Sequence, residues 1–387
     1  MRICVLSCFE DLMLRDTGSS IRIYNLAKGL VSAGHHVRVV IPKEKMARES
    51  TDGFVVESVE GFCPKALLQV ISKLLGVSRP TALFFYDLLF ILRVSRIVRE
   101  YDVVQIEQQS SSGLLIPLIR KVLKRPVIVD CHDVFQALRV KHTNILRRMF
   151  ETFLEKLAYK SADLLLTVSD EEKRYLASIG LQKCKIEVVP NGVDTNLFAK
   201  SQEQRKTLRK KYDLKESQIV VFVGNLDYLP NREAVQILSS VIAPRVMDEI
   251  KDVKFFVIGR NREKLELPKL TFTGAVNSVS DILNISDVAV APLLHGSGTR
   301  LKILEYFSCG LPVVSTSTGA EGLNIKDGVN IFIEDDLEDF SLCVIKLLKD
   351  KNLSTTVGKA ARVLATSTYD WSQIIQRLEI ALNLLFS

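Results

Sequence analysis

The chain has 387 residues, 47% hydrophobic and 25% charged, which describes a folded globular protein and excludes a disordered one; the length suits two domains better than one core. Seven cysteines (4, 8, 63, 131, 184, 309 and 343) form no C-x-x-C pair, so they read as reduced thiols of a cytosolic protein rather than a disulfide framework or a zinc site. The net charge of +7 is uneven: residues 1–190 carry 28 Lys and Arg against 21 Asp and Glu, and residues 191–387 carry 24 of each.

The start, MRICVLSCFEDL, reads as a strand with an acidic follow-on and not as a signal peptide. Short Val/Ile/Leu-rich runs without alternation follow at 37–41, 102–106, 126–130, 164–168 and 186–189, joining the run at 2–6. Such runs mark parallel strands buried on both faces. Helical patterns at 20–33 and 144–161 lie between them, giving a βαβ scheme. Between these helices, residues 64–102 form an apolar stretch interrupted by Lys73, Arg79, Arg93, Arg96 and Arg99. It reads either as core helices with solvated basic faces or as a basic amphipathic surface for a membrane. No window holds the ~20 uncharged apolar residues of a membrane span.

VVPNGVDTNLF, 188–198, is the expected hinge, and the charge balance changes there. Beyond it, strands are predicted at 219–223, 254–258, 287–291 and 312–315, with helices at 231–246, 299–309 and 336–349 and a last helix at 370–386. The fold class is therefore α/β, with two Rossmann-like doubly wound domains facing a cleft. Ligands in such folds bind beyond the carboxyl ends of the strands.

Three places at those ends carry chemistry. The loop HGSGT, 295–299, opens the helix that holds Arg300, Lys302 and Glu305. Gly296 and Gly298 let backbone N–H groups approach an anion, the helix dipole adds partial positive charge, and the two cations complete a diphosphate cradle. Glu305, about a turn beyond Lys302, suits the vicinal hydroxyls of a ribose; the structural alternative is a Lys302–Glu305 pair on a solvated face. Gly18 and Ser19 follow the first strand and open a helix with the same logic, although no G-x-G-x-x-G or P-loop pattern exists. His132 and Asp133 in VIVDCHDV, and Glu107 in VVQIEQQSS, end neighbouring buried strands. No spacing of His, Asp and Glu resembles a metal site.

Several motifs together resemble a known family: VDCHD, VSDEEKRYL, VVPNGVDTNLF, FVGNLDYLPNREAV and GSGTRLKILEYFSCGLPVVSTSTGAEGL. They are similar to the GT-B glycosyltransferases, family 4-like, also described as glycosyl transferases group 1. The resemblance implies an acceptor-binding domain over 1–191, completed by helix 370–387 crossing back, and a nucleotide-sugar-binding domain over 192–369. It implies that Glu305 holds the ribose, Arg300 and Lys302 stand near the diphosphate, and Gly18 and Ser19 cover the phosphates. His132 would lie near the transferred sugar, and Arg260 and Val276 near the base. Two positions depart from the family pattern. Ser297 replaces a glutamate, so sugar contacts would fall to backbone groups of Gly296, Ser297, Gly298 and Thr299. Asn225 replaces an arginine in the donor site, whose work Arg300 and Lys302 would take over.

The resemblance further implies transfer of a hexose from a nucleotide-diphosphate sugar (UDP- or GDP-sugar) to a hydroxyl acceptor, with retention and without a metal or other cofactor. Glu107 and Asp133 are acceptor-side candidates. The expected setting is surface polysaccharide, glycolipid or lipid-linked glycan synthesis, in the cytoplasm or peripheral at the inner face of the membrane, with no nucleic-acid partner. The excess positive charge of residues 1–190 reads as ordinary solvation or as contact with an anionic membrane. A nucleotide-sugar epimerase and a non-catalytic nucleotide-sugar-binding subunit are the alternatives.

Overall fold

A computed structural model describes residues 1–7, 12–14, 17–42, 47–59, 88–107, 115–132, 145–181, 185–214, 216–296 and 301–386. The chain divides into two compact units, Met1–Pro190 with Ile374–Ser387, and Asn191–Gln373.

The first unit is built on an eight-stranded sheet. Its strands are β1 (Arg2–Leu6), β2 (His36–Pro42), β3 (Ala47–Thr51), β4 (Phe54–Val59), β5 (Val103–Ile106), β6 (Val127–Cys131), β7 (Leu164–Thr167) and β8 (Lys185–Val188). The order is β3-β4-β2-β1-β5-β6-β7-β8, and every described neighbour is parallel except β3, which runs antiparallel to β4. Helices α1 (Gly18–Ser32), α2 (Leu88–Val98), α3 (Ile145–Ser161) and α4 (Asp170–Ser178) accompany it. All residues of β5 and β7 are buried, which is why VVQI and LLLT show no polar alternation. The β3–β4 hairpin was not among the predicted strands. It turns on Asp52 and Gly53, both with positive φ (44° and 82°), the backbone that a two-residue hairpin turn demands and that an Asp-Gly pair supplies.

The second unit has a six-stranded, wholly parallel sheet: β9 (Gln218–Val223), β10 (Val253–Ile258), β11 (Leu270–Gly274), β12 (Val288–Ala291), β13 (Val313–Ser315) and β14 (Phe332–Ile333). Its order, β11-β10-β9-β12-β13-β14, is that of a doubly wound dinucleotide-type fold. The helices are α5 (Gln202–Lys211), α6 (Leu229–Ile237), α7 (Ala243–Glu249), α8 (Val279–Ile285), α9 (Leu301–Ser308), α10 (Leu337–Lys349) and α11 (Lys351–Leu364), and α12 (Trp371–Asn383) begins here and passes into the first unit at Ile374. A π turn, Leu238–Ile242, joins α6 to α7. Helix α9 stops where glycine is expected: Gly310 takes φ 63°, and Leu311 N–H returns to Tyr306 C=O at 3.0 Å.

Helix α12 contributes to both units. A Cβ on Gly192 would lie 2.7 Å from the Trp371 ring within the second unit. A Cβ on Gly29 would lie 2.2 Å from Ile375 within the first, so α1 accepts the terminal helix only through a glycine. Among the described residues no helix is long and apolar enough to cross a membrane. The switch points, where successive strands begin to be added on the opposite side, fall between β1 and β5 in one unit and between β9 and β12 in the other. Polar groups at those edges are the candidates for chemistry.

Candidate active site

In the second unit, the loop after β9 and the start of α9 are stitched together. Val223 N–H donates to the hydroxyl of buried Tyr306 on α9 at 2.7 Å. The Asn231 amide donates to Asn225 C=O at 2.9 Å, and its oxygen accepts from Lys302 Nζ at 2.7 Å. The same ammonium stands 4.1 Å over the Phe222 ring. Glycine makes this possible: a Cβ on Gly224 would lie 2.8 Å from the Asn231 side chain, and one on Gly259 only 2.1 Å from Gly224 C=O. Lys302 is thereby fixed rather than waving on a long stem, which lowers the entropy that an anion must overcome to bind it.

Glu305 follows Lys302 by three residues on α9, and both side chains are partly buried rather than solvated. Burial pushes the Glu305 carboxyl up to about 7, with Lys302 opposing the rise. A carboxylate in this state gains from any hydroxyl pair that replaces its lost water. Gly296, in the loop ahead of α9, has φ 123°, a conformation that side chains avoid. Ser297, Gly298, Thr299 and Arg300 lie outside the described residues. Arg260 follows β10, and its C=O accepts from Leu226 N–H at 2.8 Å, which sets it beside the Asn225 loop. Val276 packs against the core under that sheet face.

In the first unit, the carboxyl edge of β5 and β6 holds a compact charged cluster. Arg22 of α1 is fully buried and donates from Nε and Nη2 to the two oxygens of Asp130 on β6, each at 2.8 Å. Its Nη1 donates to Pro190 C=O at 3.0 Å. His132 Nε2 lies 2.6 Å from Glu107 Oε2, and Gln105 Nε2 donates to Glu107 Oε1 at 2.6 Å. Burial, reinforced by the Asp130 charge, raises the Glu107 carboxyl despite His132 and Gln105. Burial pushes Asp130 the same way, but Arg22 outweighs it and holds the acid below the usual carboxylate range. Gly18 and Ser19 occupy the first turn of α1, one turn before Arg22, behind a Thr17–Ser20 capping box. Asp133 lies outside the described residues.

Glu107, Asp130 and His132 each present a ligand-type atom within 4.8 Å of one another, among the described residues the one such group. Both Asp130 oxygens are engaged by Arg22, so the cluster carries its own cation and is a poor trap for a second one.

The model of Glycosyltransferase Family 4 matches residues 17–197, and that of Glycosyl transferases group 1 matches residues 217–350. The chain belongs to the family 4-like GT-B glycosyltransferases.

The GDP-mannose-dependent alpha-(1-6)-phosphatidylinositol monomannoside mannosyltransferase of Mycolicibacterium smegmatis is 23% identical over 319 residues, 76% of this chain and 80% of that one. The UDP-Gal:alpha-D-GlcNAc-diphosphoundecaprenol alpha-1,3-galactosyltransferase of Escherichia coli is 25% identical over 270 residues, 66% and 68% of the two chains. The crystal structure of Anabaena HepE in complex with UDP-glucose matches this glycosyltransferase with a TM-score of 0.74 at 16% identity, over 99% of this chain and 100% of that one. The last likeness carries the GT-B fold.

Five residues escape a reading of the sequence alone: Arg22, Asp130 and Gln105 in one unit, Asn231 and Tyr306 in the other. A signal for the first two exists. Arg22 sits on the same helical face as buried Leu26 and Leu30, and Asp130 interrupts the wholly buried run VIVDC. Opposite charges that each break an apolar pattern are candidates for one buried pair.

Proposed function

We propose that this glycosyltransferase moves a hexose from a UDP- or GDP-sugar to a hydroxyl acceptor. The observation that carries it is on α9: a half-buried carboxylic acid, Glu305, one turn beyond an ammonium, Lys302, held in place by Asn231. A ribose diol and a diphosphate have that spacing of acceptor and cation needs. Lys302, with Arg300 beside it in sequence, would stabilise the charge that grows on the leaving phosphate, and no metal is needed for that step. Retention of the anomeric configuration follows from the family resemblance. Gly18 and Ser19 would offer N–H groups to the phosphates; Arg260 and Val276 would border the base, Asn225 would line the donor site, and Gly296 with the backbone of Ser297, Gly298 and Thr299 would border the sugar. His132 would lie near the transferred sugar, and Glu107 and Asp133 are assigned to the acceptor side.

A lipid-linked or glycan acceptor is supported by relatives named for phosphatidylinositol monomannoside and diphosphoundecaprenol substrates. The surface of α3 fits such an acceptor's setting. Met149 and Phe153 are 65% and 61% exposed, and they align with exposed Lys156 and Lys160 along one helical face. Two large apolar side chains followed by two lysines suit an anionic leaflet, which the excess charge of residues 1–190 also favours. Of the 64–102 stretch, residues 64–87 lie outside the described residues. Its described end, α2, shows Leu92 exposed.

The test is thermal unfolding against UDP- and GDP-sugars, followed by acceptor-dependent release of nucleoside diphosphate. Stabilisation by one donor, with release only when an acceptor is present, is the expected result. Release without an acceptor would replace the transferase by an epimerase, and binding without release by a non-catalytic subunit.

A further inference from the structure

The parallel sheet of the second unit ends in β11, which pairs with β10 alone among the described residues. One row of its N–H and C=O groups therefore has no strand to take it. The two faces of this edge are unlike. Phe255, Val257, Leu270 and Phe272 join the core that holds Val246 and Met247 of α7. Phe256, on the opposite face by strand alternation, joins the core of Leu214, Ile282 and Ile285. That second face continues onto β11 as Thr271, the register partner of Phe256, with Thr273 beyond it. An apolar face thus ends in two threonines, one exposed and one half-buried.

Beside them runs a groove of about 810 Å³, with Tyr212, Leu214, Phe256, Ile282 and Ile285 among its apolar walls. Lys254 and Lys269 line the same groove. Each comes two residues before a member of the Phe256–Thr271 pair, so the two ammoniums mark the amino end of the groove. Neither lysine side chain has an ion pair or hydrogen bond among the described residues. Asp252, an acid two positions before Lys254, acts on Arg209 of α5. The approach to β11 is fixed: Ser239 Oγ donates to Pro268 C=O at 2.8 Å, and Lys269 takes φ 66°. An open backbone ladder, an apolar seat and two unpaired cations therefore meet at one edge.

We propose that this edge is a docking site for an extended acidic segment of a partner protein, which adds to β11 as a further strand. The proposal stands apart from the transferase reading. Backbone groups of the segment pair with those of β11, while its side chains on one face meet the lysines and the apolar walls in turn. Side chains on one face recur every two residues, about 6.6 Å along a strand. A carboxylate opposite Lys269 therefore places the next such side chain opposite Thr271 and beside Phe256. The recognised pattern is an acid and an apolar residue separated by one position. A second copy of β11 lacks the acid, since LTFTG carries none. A lipid tail would cover the apolar walls but leave the ladder groups unpaired.

The probe is a labelled octapeptide with glutamate and valine alternating on one face and threonine on the other, titrated with the full chain and followed by fluorescence anisotropy. Saturable binding is expected. Lysine in place of the glutamates should weaken it about tenfold or more, since like charges then meet at the interface. The double variant Lys254→Glu, Lys269→Glu should reverse that preference. Two series of the peptide, N-methylated at one or the other set of alternate positions, test the ladder. Only the series that blocks the edge facing β11 should lose binding.

Equal binding of both methylated series, binding indifferent to the charge of the peptide or of the variant, or no binding at all overturns the proposal. So does displacement of the peptide by UDP or GDP, because Val276 lines the groove and the donor would then own it. A chain that dimerises in sedimentation and binds no peptide assigns the edge to a second copy. Binding of dodecyl phosphate in place of the peptide assigns the groove to a lipid, and either result overturns the proposal. The double variant should keep the wild-type melting temperature and its thermal shift with UDP or GDP. If it fails to fold, the methylated series on wild type still decide. Wild type that binds no nucleotide sinks the transferase reading and leaves the peptide result standing.

Discussion

At the scale of single residues, Glu305 is a carboxyl of the donor half whose protonation is shifted by its surroundings. Its carboxyl is raised by burial to about 7, so the folded state holds this proton more tightly than the unfolded chain does. The sign follows from that difference: ionisation destabilises the nucleotide-free fold progressively as pH rises from the ordinary carboxylate value toward about 7, and fully above it. The cost is at most about 3 kcal/mol, reduced by the partial exposure of the side chain. Glu305→Gln is expected to raise the melting temperature of the nucleotide-free protein at pH 8 but not at pH 4. It should also weaken donor binding at pH 8 by roughly 2 kcal/mol, as for a lost hydrogen bond to a charged group. Melting curves at the two pH values and titration with UDP- and GDP-sugars check both parts. An unchanged donor affinity would remove Glu305 from the site. Lys302 acts differently, since its ammonium is already placed by Asn231 and Phe222 before any ligand arrives. Lys302→Ala should lower kcat about a hundredfold with a smaller change in KM, because the charge it meets grows in the transition state. A rise in KM alone would make it a ground-state binder.

At the scale of elements, α3 separates its two faces cleanly. Leu154, Ala158 and Tyr159 are buried, while Met149 and Phe153 stand out at helical spacing beside Lys156 and Lys160. Exposed apolar residues taken singly need no explanation, but a pair on one turn next to lysines is a surface that a bilayer can accept. Cosedimentation with vesicles of neutral and of anionic lipid is the check. Wild type should pellet with anionic vesicles at low salt and be released near 1 M, where screening shortens to about 3 Å. The double variant Met149→Ser, Phe153→Ser should stay in the supernatant under all conditions while retaining donor binding. Equal pelleting of variant and wild type would assign the stripe to ordinary surface.

At the scale of the whole molecule, the chain returns to its first unit at the end. Ile374, Ile375, Leu378, Ala381 and Leu382 are buried on α12, and Ile375 fills the place left by Gly29. Each large apolar side chain contributes about 1.5–3 kcal/mol on burial, so their sum rivals the stability of a typical domain. Ending the chain after Gln373 is therefore expected to lower the unfolding temperature of the first unit by many degrees or to abolish its transition. The second unit should still be stabilised by UDP or GDP. Calorimetry with and without nucleotide distinguishes the two transitions, and an unchanged first transition would make α12 dispensable.

The doubly wound architecture was legible in the chain because strands buried on both faces must be apolar at successive positions, and RICVL, VVFV and VAVA are. Edge strands were not: AREST of β3 is mostly exposed and LTFTG of β11 only partly buried, so neither had to be apolar. The loop-helix motif around Lys302 and Glu305 was legible for a similar reason, since helical spacing alone puts them a turn apart. What only the tertiary structure decided was which distant groups share a place. Arg22 meets Asp130 across 108 positions, Lys302 meets Asn231 across 71 and His132 meets Glu107 across 25. The raised pKa values of Glu107 and Glu305 belong with these pairings. Desolvation depends on everything packed around a carboxyl, and that surrounding is assembled from remote parts of the chain that no local pattern encodes.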